Sequence, residues 1–303
     1  MTEVFALRQQ IAALYAELVL SRPDRHGPGN TICPGPAGAS RVEPALYATL
    51  FGTFAIYRNH SPVPFGRRRV GMELCCYLLA RGGQPVPRDE LVELLWPEVD
   101  RDRALHRLHV AISDLRQVLD DRGASESLVQ LDEDRYSTAA DRIVTDCDVF
   151  EDHYRHGRML LARGARPAAA EELHRAMSLY TGDFLSDLPD ADWTHGPRMH
   201  YVERRLSSLE LLCEHAVDSG DHASVVEYAQ QIIQADNLRE RPHRHLMRSH
   251  YRLGQRACAI RQYQLCARLL ADELGVRPSH ETQRLFAAIR DDAELPTEAP
   301  LRL

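Results

Sequence analysis

The chain contains no lysine: its 303 residues include 37 basic side chains, and every one of them is arginine. A Walker A phosphate loop, a protein-kinase active site and a pyridoxal Schiff base each require a lysine, so these functions are excluded. The planar guanidinium group can bind phosphate or guanine in a bidentate manner, which the lysine ammonium group cannot. The absence of lysine also has a simple alternative explanation, GC-rich coding, which favours arginine, alanine and glycine over lysine.

Long apolar runs and a secretory signal are also lacking. The N-terminal sequence MTEVFALRQQ begins acidic and continues polar, and no run approaches the ~20 apolar residues of a membrane helix. The cysteines show neither a CxxC pair nor metal-ligand spacing, which indicates reduced thiols in a cytoplasmic protein without membrane association. They are Cys33, Cys75, Cys76, Cys147, Cys213, Cys258 and Cys266.

Signatures of catalysis and of metal binding are lacking as well. The sequence has no nucleophile elbow, so we do not expect an enzyme or a cofactor. His106 and His109 lie three residues apart, and His243, His245 and His250 form a second group. Neither group has the cysteine or carboxylate partners of a closed zinc site, and we therefore expect no metal ion.

The first part of the chain, residues 1–20, is predicted to be an amphipathic helix. An apolar stripe repeats at helical spacing over residues 3–20, and Thr2 can cap the helix. The stripe consists of Val4, Leu7, Ile11, Leu14 and Leu18. Residues 21–44 are rich in proline and glycine and are predicted to be a linker. The helix can dock on its own chain or pair with a second copy; we favour its own chain, because one short helix makes a weak dimer.

Residues 45–145 carry the pattern of a winged helix-turn-helix domain. Three short strands are predicted in ALYATLFG, TFAIYRN and SPVPF. A helix over 67–81 ends at a Gly-Gly pair, a second opens after Pro87 and ends at Pro97, and a third begins near Asp102. LVQL and RYST follow as two strands around an Asp-Glu-Asp turn, which predicts a hairpin and hence a wing. Leu91, Val92, Leu94, Leu95 and Trp96 of the second helix are predicted to be mostly core, and Trp96 and Trp193 are predicted to be core and interface aromatics.

Residues 146–290 are predicted to be wholly helical, with an acidic tail over 291–303. Helices fit near 148–163, 167–181, 192–219, 222–235, 241–253, 256–274 and 279–290. Ala223 in DHASVVEYAQQ aligns with Ala257 in GQRACAIRQYQ, at the 34-residue period of tetratricopeptide repeats. The predicted fold is mainly α with a small β component: a winged helix-turn-helix domain followed by a tetratricopeptide-like all-α helical-repeat domain.

The third predicted helix is the candidate for contact with DNA bases. Its apolar stripe faces inward and consists of Leu105, Leu108, Ile112, Leu115 and Leu119. The side chains on its other faces are Arg103, His106, Arg107, His109, Val110, Ser113, Asp114, Arg116 and Gln117. Arginine paired with guanine is the commonest specific contact in the major groove, and valine can touch a thymine methyl group. The alternative is an ordinary surface helix of mixed charge.

Five further arginines are candidates for contact with DNA phosphates. Arg67, Arg68 and Arg69 open the first helix, Arg88 opens the second, and Arg135 follows the turn of the wing. The alternative is a solvated basic patch. The net charge of −7 is wrong for a nonspecific nucleic-acid binder, but a small DNA-binding module needs to be basic on one face only.

Two segments resemble a known family. The three strands, the RRR helix, PVPRDELVELLWP, ALHRLHVAISDLRQVL and the hairpin resemble the OmpR-type winged helix of the Streptomyces antibiotic regulatory proteins. NLRERPHRHLMRSHYRLGQRACAIRQYQLCARLLADELGVRPSHETQRLF is similar to the bacterial transcriptional activator domain of that family, with ELGVRPSHET as its most specific part. The resemblance covers residues 45–290. The acidic Asp132, Glu133 and Asp134 depart from the family's usual wing, which leaves Arg135 for minor-groove contact.

The resemblance implies a pathway-specific activator of a secondary-metabolite (antibiotic) gene cluster, associated with the nucleoid. Members of the family bind promoter direct repeats on double-stranded DNA as side-by-side dimers and recruit RNA polymerase through its sigma factor and other subunits. No nucleotide-binding or sensor domain follows the helical part, as in the small stand-alone members. Two alternatives stay open: a repressor of the same type, and a helical-repeat adaptor whose winged helix serves protein contacts.

Overall fold

The computed structural model describes residues 46–65, 69–120 and 126–297. The predicted N-terminal helix, the linker, Arg67 and Arg68 lie outside these ranges. Within the described residues the chain forms two compact units. The first contains residues 46–155 and 178–199, and the second contains residues 156–177 and 200–297. The predicted domain limits, including the boundary after residue 145, stay predictions.

The first unit begins with the three predicted strands, β1 (Leu46–Thr49), β2 (Ala55–Arg58) and β3 (Ser61–Pro62), which pair in antiparallel order. A fourth strand, β7 (Ile143–Thr145), runs parallel to β1, so the sheet order is β3-β2-β1-β7. β7 was not predicted, because a strand of only three residues, Ile-Val-Thr, is too short to show the alternation that would identify it.

Three helices follow, α1 (Arg69–Ala80), α2 (Arg88–Leu95) and α3 (Arg101–Leu119), as predicted. After α1, Gly83 has a φ of +84°, and a Cβ at this position would lie 2.6 Å from the Cβ of Ala140, so only glycine fits. Asp100 caps α3, since its carboxylate accepts a hydrogen bond from the backbone N–H of Asp102 at 3.2 Å.

The apolar stripe of α3 packs inward, as predicted. Leu108, Ile112, Leu115 and Leu119 are buried, whereas Leu105 is only half-buried. Ala104, which was not predicted as part of the stripe, completes the buried face. This anchoring leaves the opposite face of α3 directed to solvent.

The predicted wing is present as β5 (Val129–Asp132) and β6 (Arg135–Thr138), an antiparallel hairpin with Glu133 at φ +51° in its turn. A third strand, β4 (Val86–Pro87), pairs with β6, which gives the order β4-β6-β5. This strand was missed because it has two residues and one is a proline. It joins the start of α2 to the wing.

The later helices agree with the predicted ones, with ends that differ by at most three residues. They are α4 (Asp146–Ala162), α5 (Arg166–Leu179), α6 (His195–Ser219), α7 (His222–Ala235), α8 (Glu240–Arg252), α9 (Arg256–Leu274) and α10 (His280–Asp291). A short 3-10 turn, Asp192–Thr194, precedes α6, where the sequence predicted continuous helix. In the second unit α8 packs on α7 and on α9. The buried residues at these contacts include Val225, Leu246, Met247 and Ala259.

The first residue of α4 anchors the β-sheet of the first unit. The carboxylate of Asp146 is fully buried and accepts hydrogen bonds from the backbone N–H groups of Leu50 at 2.7 Å and Phe51 at 2.9 Å. Burial raises the pKa of Asp146 to about 7, and the backbone hydrogen bonds oppose this rise. No local sequence pattern predicts this contact, because donors and acceptor are separated by 95 or 96 residues.

The segment 178–199 returns to the first unit. Phe184 bridges to Phe51, and both are buried. Arg198 fixes the loop by donating hydrogen bonds to the carbonyl oxygens of Phe184 at 2.9 Å, Leu185 at 2.8 Å and Leu188 at 2.8 Å. This segment is therefore part of the core that supports the winged helix.

Candidate nucleic-acid interface

The outward face of α3 exposes most of the residues predicted to contact bases. The exposed members are Arg103, His106, Arg107, His109, Val110, Ser113 and Gln117. Val110 is 42% exposed, which is unusual for a large apolar side chain on a helix with an otherwise polar surface. In the described part of the chain no ion pair holds Arg103 or Arg107, so both guanidinium groups are available to an anionic or hydrogen-bonding partner.

The other two predicted residues, Asp114 and Arg116, are half-buried. The Nε–H of Arg116 donates to the carbonyl oxygen of Val129 at 3.0 Å, so this side chain ties α3 to β5. Part of its hydrogen-bonding capacity therefore serves the fold. Contact of these residues with bases stays a prediction.

Of the described arginines predicted to contact phosphates, Arg69 and Arg135 are exposed and Arg88 is half-buried, and two of the three pair with carboxylates. Arg69 opens α1 and lies 3.1 Å from the carboxylate of Asp190, with both side chains more than half exposed. Arg88 opens α2 and lies 3.0 Å from the carboxylate of Asp134 in the wing. Arg135 is exposed. The acidic turn of the wing thus neutralises one of the candidate phosphate-binding arginines.

An ion pair that the sequence analysis missed fixes the turn between α2 and α3. Arg101, the first residue of α3, donates two hydrogen bonds to the carboxylate of Asp89, at 2.9 and 3.0 Å. Both side chains are about two-thirds exposed. The two residues are twelve positions apart on different helices, so the contact follows from the turn and not from a helical repeat.

A groove of about 710 Å³ runs beside α3 and is mostly apolar. Phe65, Val70 and Val118 are among the residues that line it. Trp96, predicted to be a core and interface aromatic, is half-buried and lines the groove. Of the residues of α2 predicted to be mostly core, Leu91 and Val92 are buried, whereas Leu94 and Leu95 are half-buried like Trp96. Arg107 forms part of the groove's lining.

Two histidines of the second unit, His245 and His243, make hydrogen bonds within the fold. His245 lies 2.9 Å from the carboxylate of Glu214, which also accepts a hydrogen bond from Arg241 at 2.7 Å. Although burial alone would raise the pKa of Glu214, these hydrogen bonds lower it to about 2. His243 contacts the carbonyl oxygen of Asn237 at 3.0 Å. Within the described ranges, no three histidine, cysteine or carboxylate side chains converge as metal ligands.

None of the helices in the described residues is long and apolar enough to cross a membrane.

Two family models match the chain. The bacterial transcriptional activator domain matches residues 145–290, and the C-terminal domain of transcriptional regulatory proteins matches residues 68–134. The match to residues 68–134 covers most of the winged helix, and the match to residues 145–290 covers the helical part. This is the order that the sequence predicts.

Among solved structures, that of Mycobacterium tuberculosis EmbR in complex with a low-affinity phosphopeptide is similar, with a TM-score of 0.70 and 22% identity. The similarity covers 84% of this chain and 67% of that one. At this level of identity the likeness concerns the fold, a winged helix followed by a helical domain.

Two relatives from Streptomyces are named as regulators. The regulatory protein AfsR of Streptomyces griseus is 29% identical over 259 residues, which are 84% of this chain but only 26% of AfsR. The transcriptional regulator RedD of Streptomyces coelicolor is 30% identical over 246 residues, which are 79% of this chain and 69% of RedD. With this identity to RedD over more than two thirds of its length, the chain belongs to the Streptomyces antibiotic regulatory protein family.

Proposed function

We propose that this chain is a sequence-specific DNA-binding transcriptional activator that places α3 in the major groove. The observation that supports the proposal best is the exposed face of α3, which carries Arg103, Arg107 and Val110 on a helix whose opposite face is buried. A major groove about 12 Å wide admits an α-helix, and these side-chain types form hydrogen bonds with guanine and apolar contacts with thymine. Two available arginines favour DNA over the alternative of a protein-binding adaptor.

Phosphate contacts would fix the orientation of α3. Arg69 and Arg88 lie at the starts of helices, where backbone N–H groups also favour an anion. The ion pair between Arg69 and Asp190 is largely exposed, and such pairs contribute about 0–1 kcal/mol, so a phosphate can replace the carboxylate there. The pair between Arg88 and Asp134 is exposed on the carboxylate side only. The acidic turn of the wing disfavours close approach to the backbone of DNA except through Arg135.

Membership of the family supports the finer proposals. We infer that the chain binds promoter direct repeats as a homodimer, recruits RNA polymerase through its sigma factor, and activates an antibiotic or other secondary-metabolite gene cluster. A protein with this function would act in the cytoplasm, at the nucleoid. The helical unit would supply contacts between subunits and with polymerase, since repeated helix pairs offer extended protein-binding surfaces.

Genome-wide mapping of the bound sites in the native host tests the proposal. We expect discrete sites upstream of a biosynthetic gene cluster, each containing two direct repeats, and loss of cluster transcripts when the gene is deleted. Increased transcripts after deletion would instead favour the repressor. DNA binding would be contradicted by two results together: the mapping recovers no sequence-specific site, and the purified chain gives no footprint on the promoters of the cluster.

A further inference from the structure

The groove beside α3 has the size and the lining of a small-molecule site. Its volume of about 710 Å³ falls within the range of ligand pockets, about 300–1,000 Å³, which are mostly apolar and hold a few polar groups. Phe65 and Trp96 supply aromatic rings to the apolar part of the lining. Among the described residues, the polar part comes from α3 alone and includes the charged side chains Arg107 and Asp114.

Contacts inside the fold hold the walls of the groove in place. The ring of Phe65 packs edge-on against the buried Phe54, with ring centroids 5.6 Å apart. The backbone of Trp96 is held on both sides: its N–H donates to the carbonyl oxygen of Val92 at 2.9 Å, and its own carbonyl oxygen accepts from the N–H of Val99 at 3.1 Å. The groove is therefore formed in advance, so an occupant binds without the loss of free energy that ordering a loop would bring.

Gly71 keeps one part of the groove open. A Cβ added at this position would meet no heavy atom of the described residues within 4 Å beyond its own helix. Gly71 lies in the first turn of α1, within regular helix, so no tight turn requires a glycine here. Because glycine destabilises a helix relative to alanine, this position leaves space in the groove at a cost to the stability of the helix.

The charges along α3 indicate which groups an occupant carries. Arg107 makes no ion pair with another described residue, and a guanidinium group binds a carboxylate in a bidentate manner. Asp114 lies seven residues further along the helix, about 10.5 Å at 1.5 Å per residue, where its carboxylate accepts hydrogen bonds and repels an anion. The molecule that fits both ends is flat and aromatic, with an acid at one end and a hydroxyl group at the other.

We propose that the groove binds a small hydroxylated aromatic acid, and that this acid and DNA exclude each other. Arg107 and Val110 line the groove and are also candidates for base contact, so an occupant held by Arg107 removes that side chain from the DNA-contacting face of α3. The exclusion of DNA rests on the proposed function, whereas the occupancy of the groove does not.

The acid end is tested with 4′-hydroxybiphenyl-4-carboxylate, which carries a carboxylate and a hydroxyl group at opposite ends of two aromatic rings. Calorimetric titration of the full chain should give one site, and 4-hydroxybiphenyl, which lacks the carboxylate, should bind about tenfold more weakly. Arg107→Gln should abolish this difference between the two compounds. Arg163→Gln, at an exposed arginine of the second unit, should preserve it. A difference that survives Arg107→Gln would overturn recognition of the acid by Arg107.

The hydroxyl end is tested with biphenyl-4-carboxylate, which lacks only the hydroxyl group. We expect it to bind the full chain about fivefold more weakly than the hydroxylated acid, because one hydrogen bond is lost. Asp114→Ala should remove this difference and leave the contribution of the carboxylate unchanged. Equal binding of the two acids by the unaltered chain would overturn the role of Asp114.

Two glycine variants test whether the groove is the site. Gly71→Leu fills the open space and should abolish binding of all three compounds. Leucine is the better helix former, so the melting temperature should not fall. Gly196→Leu adds the same side chain at an exposed position of α6, also in open space, and should leave binding unchanged. Retained binding by Gly71→Leu would overturn the groove as the site, and the comparisons at Arg107 do not depend on how this variant folds.

Competition with DNA completes the test. With the hydroxylated acid at ten times its Kd, the affinity of the chain for a mapped duplex should fall about tenfold, since the two ligands compete for one surface. The same concentration should leave the affinity of Gly71→Leu for the duplex unchanged. Binding of the acid with no effect on the affinity for the duplex would overturn the exclusion. Failure of the chain to bind any duplex would refute the proposed function, and the calorimetric titrations would still decide the occupancy of the groove.

Discussion

Arg107→Ala tests the placement of α3 most directly. The side chain is exposed, and no ion pair holds it within the described residues, so its loss should change the free energy of unfolding by less than about 0.5 kcal/mol. A bidentate contact with guanine contributes about 1–3 kcal/mol of discrimination, so specific binding should weaken roughly 5- to 150-fold. Preference at one base position should relax, while nonspecific binding loses only the effect of one charge.

The assay is a fluorescence-anisotropy titration of a mapped site and of a scrambled duplex at the same salt concentration. Arg163→Ala serves as the matched control, because Arg163 is an exposed arginine of the second unit that makes no ion pair with another described residue. Selection of bound sequences from a random pool identifies the base position that changes. An unchanged footprint and affinity for Arg107→Ala would show that this face of α3 does not lie in the major groove.

Three further changes test other parts of the argument. Arg69→Ala should weaken specific and nonspecific binding alike and reduce the salt slope by about 0.9; an unchanged slope would exclude a phosphate contact. Because burial raises the pKa of Asp146 to about 7 from 3.8, the folded state holds the extra proton, and the free energy of unfolding should fall as pH rises between these values. Asp146→Asn should remove this slope in urea titrations, and a slope that persists would contradict the assignment. A fragment of residues 45–145 lacks Asp146 and the segment 178–199, so it should be less stable than a 45–199 fragment. Neither fragment should activate transcription with purified polymerase. Activation by either fragment at the level of the full chain would refute the role of the helical unit.

The helices could be predicted from the sequence because their signals are local. The stripe of α3, the glycines after α1 and Pro97 after α2 each act over a few residues, and the predicted ends agree with the structure. The strands β4 and β7 were missed because two or three residues carry no periodicity. Their positions are defined by pairing with β6 and β1, which are distant in sequence.

The candidate site shows the same limit. Exposure of Arg103 and Arg107 follows from the helical repeat, so the sequence predicted it. The ion pair between Asp89 and Arg101 and the half-exposed position of Trp96 depend on how α2 turns into α3. The bond from Arg116 to the carbonyl of Val129 depends on where the wing packs. None of these contacts is encoded by spacing along one helix.

The return of residues 178–199 to the first unit limits how the two halves of the chain can be exchanged. The backbone passes between the units three times, after residues 155, 177 and 199. A chimera joined at residue 145 would take the winged helix from one regulator and the segment equivalent to residues 178–199 from another. The contacts that Phe184 and Arg198 make in this chain would then not be retained unless the second regulator happens to make the same ones. A junction at residue 199 would retain these contacts, although it carries α5 along with the first half. We therefore expect recombinants of related regulators to function when the junction follows residue 199 and to fold poorly when it lies at 145.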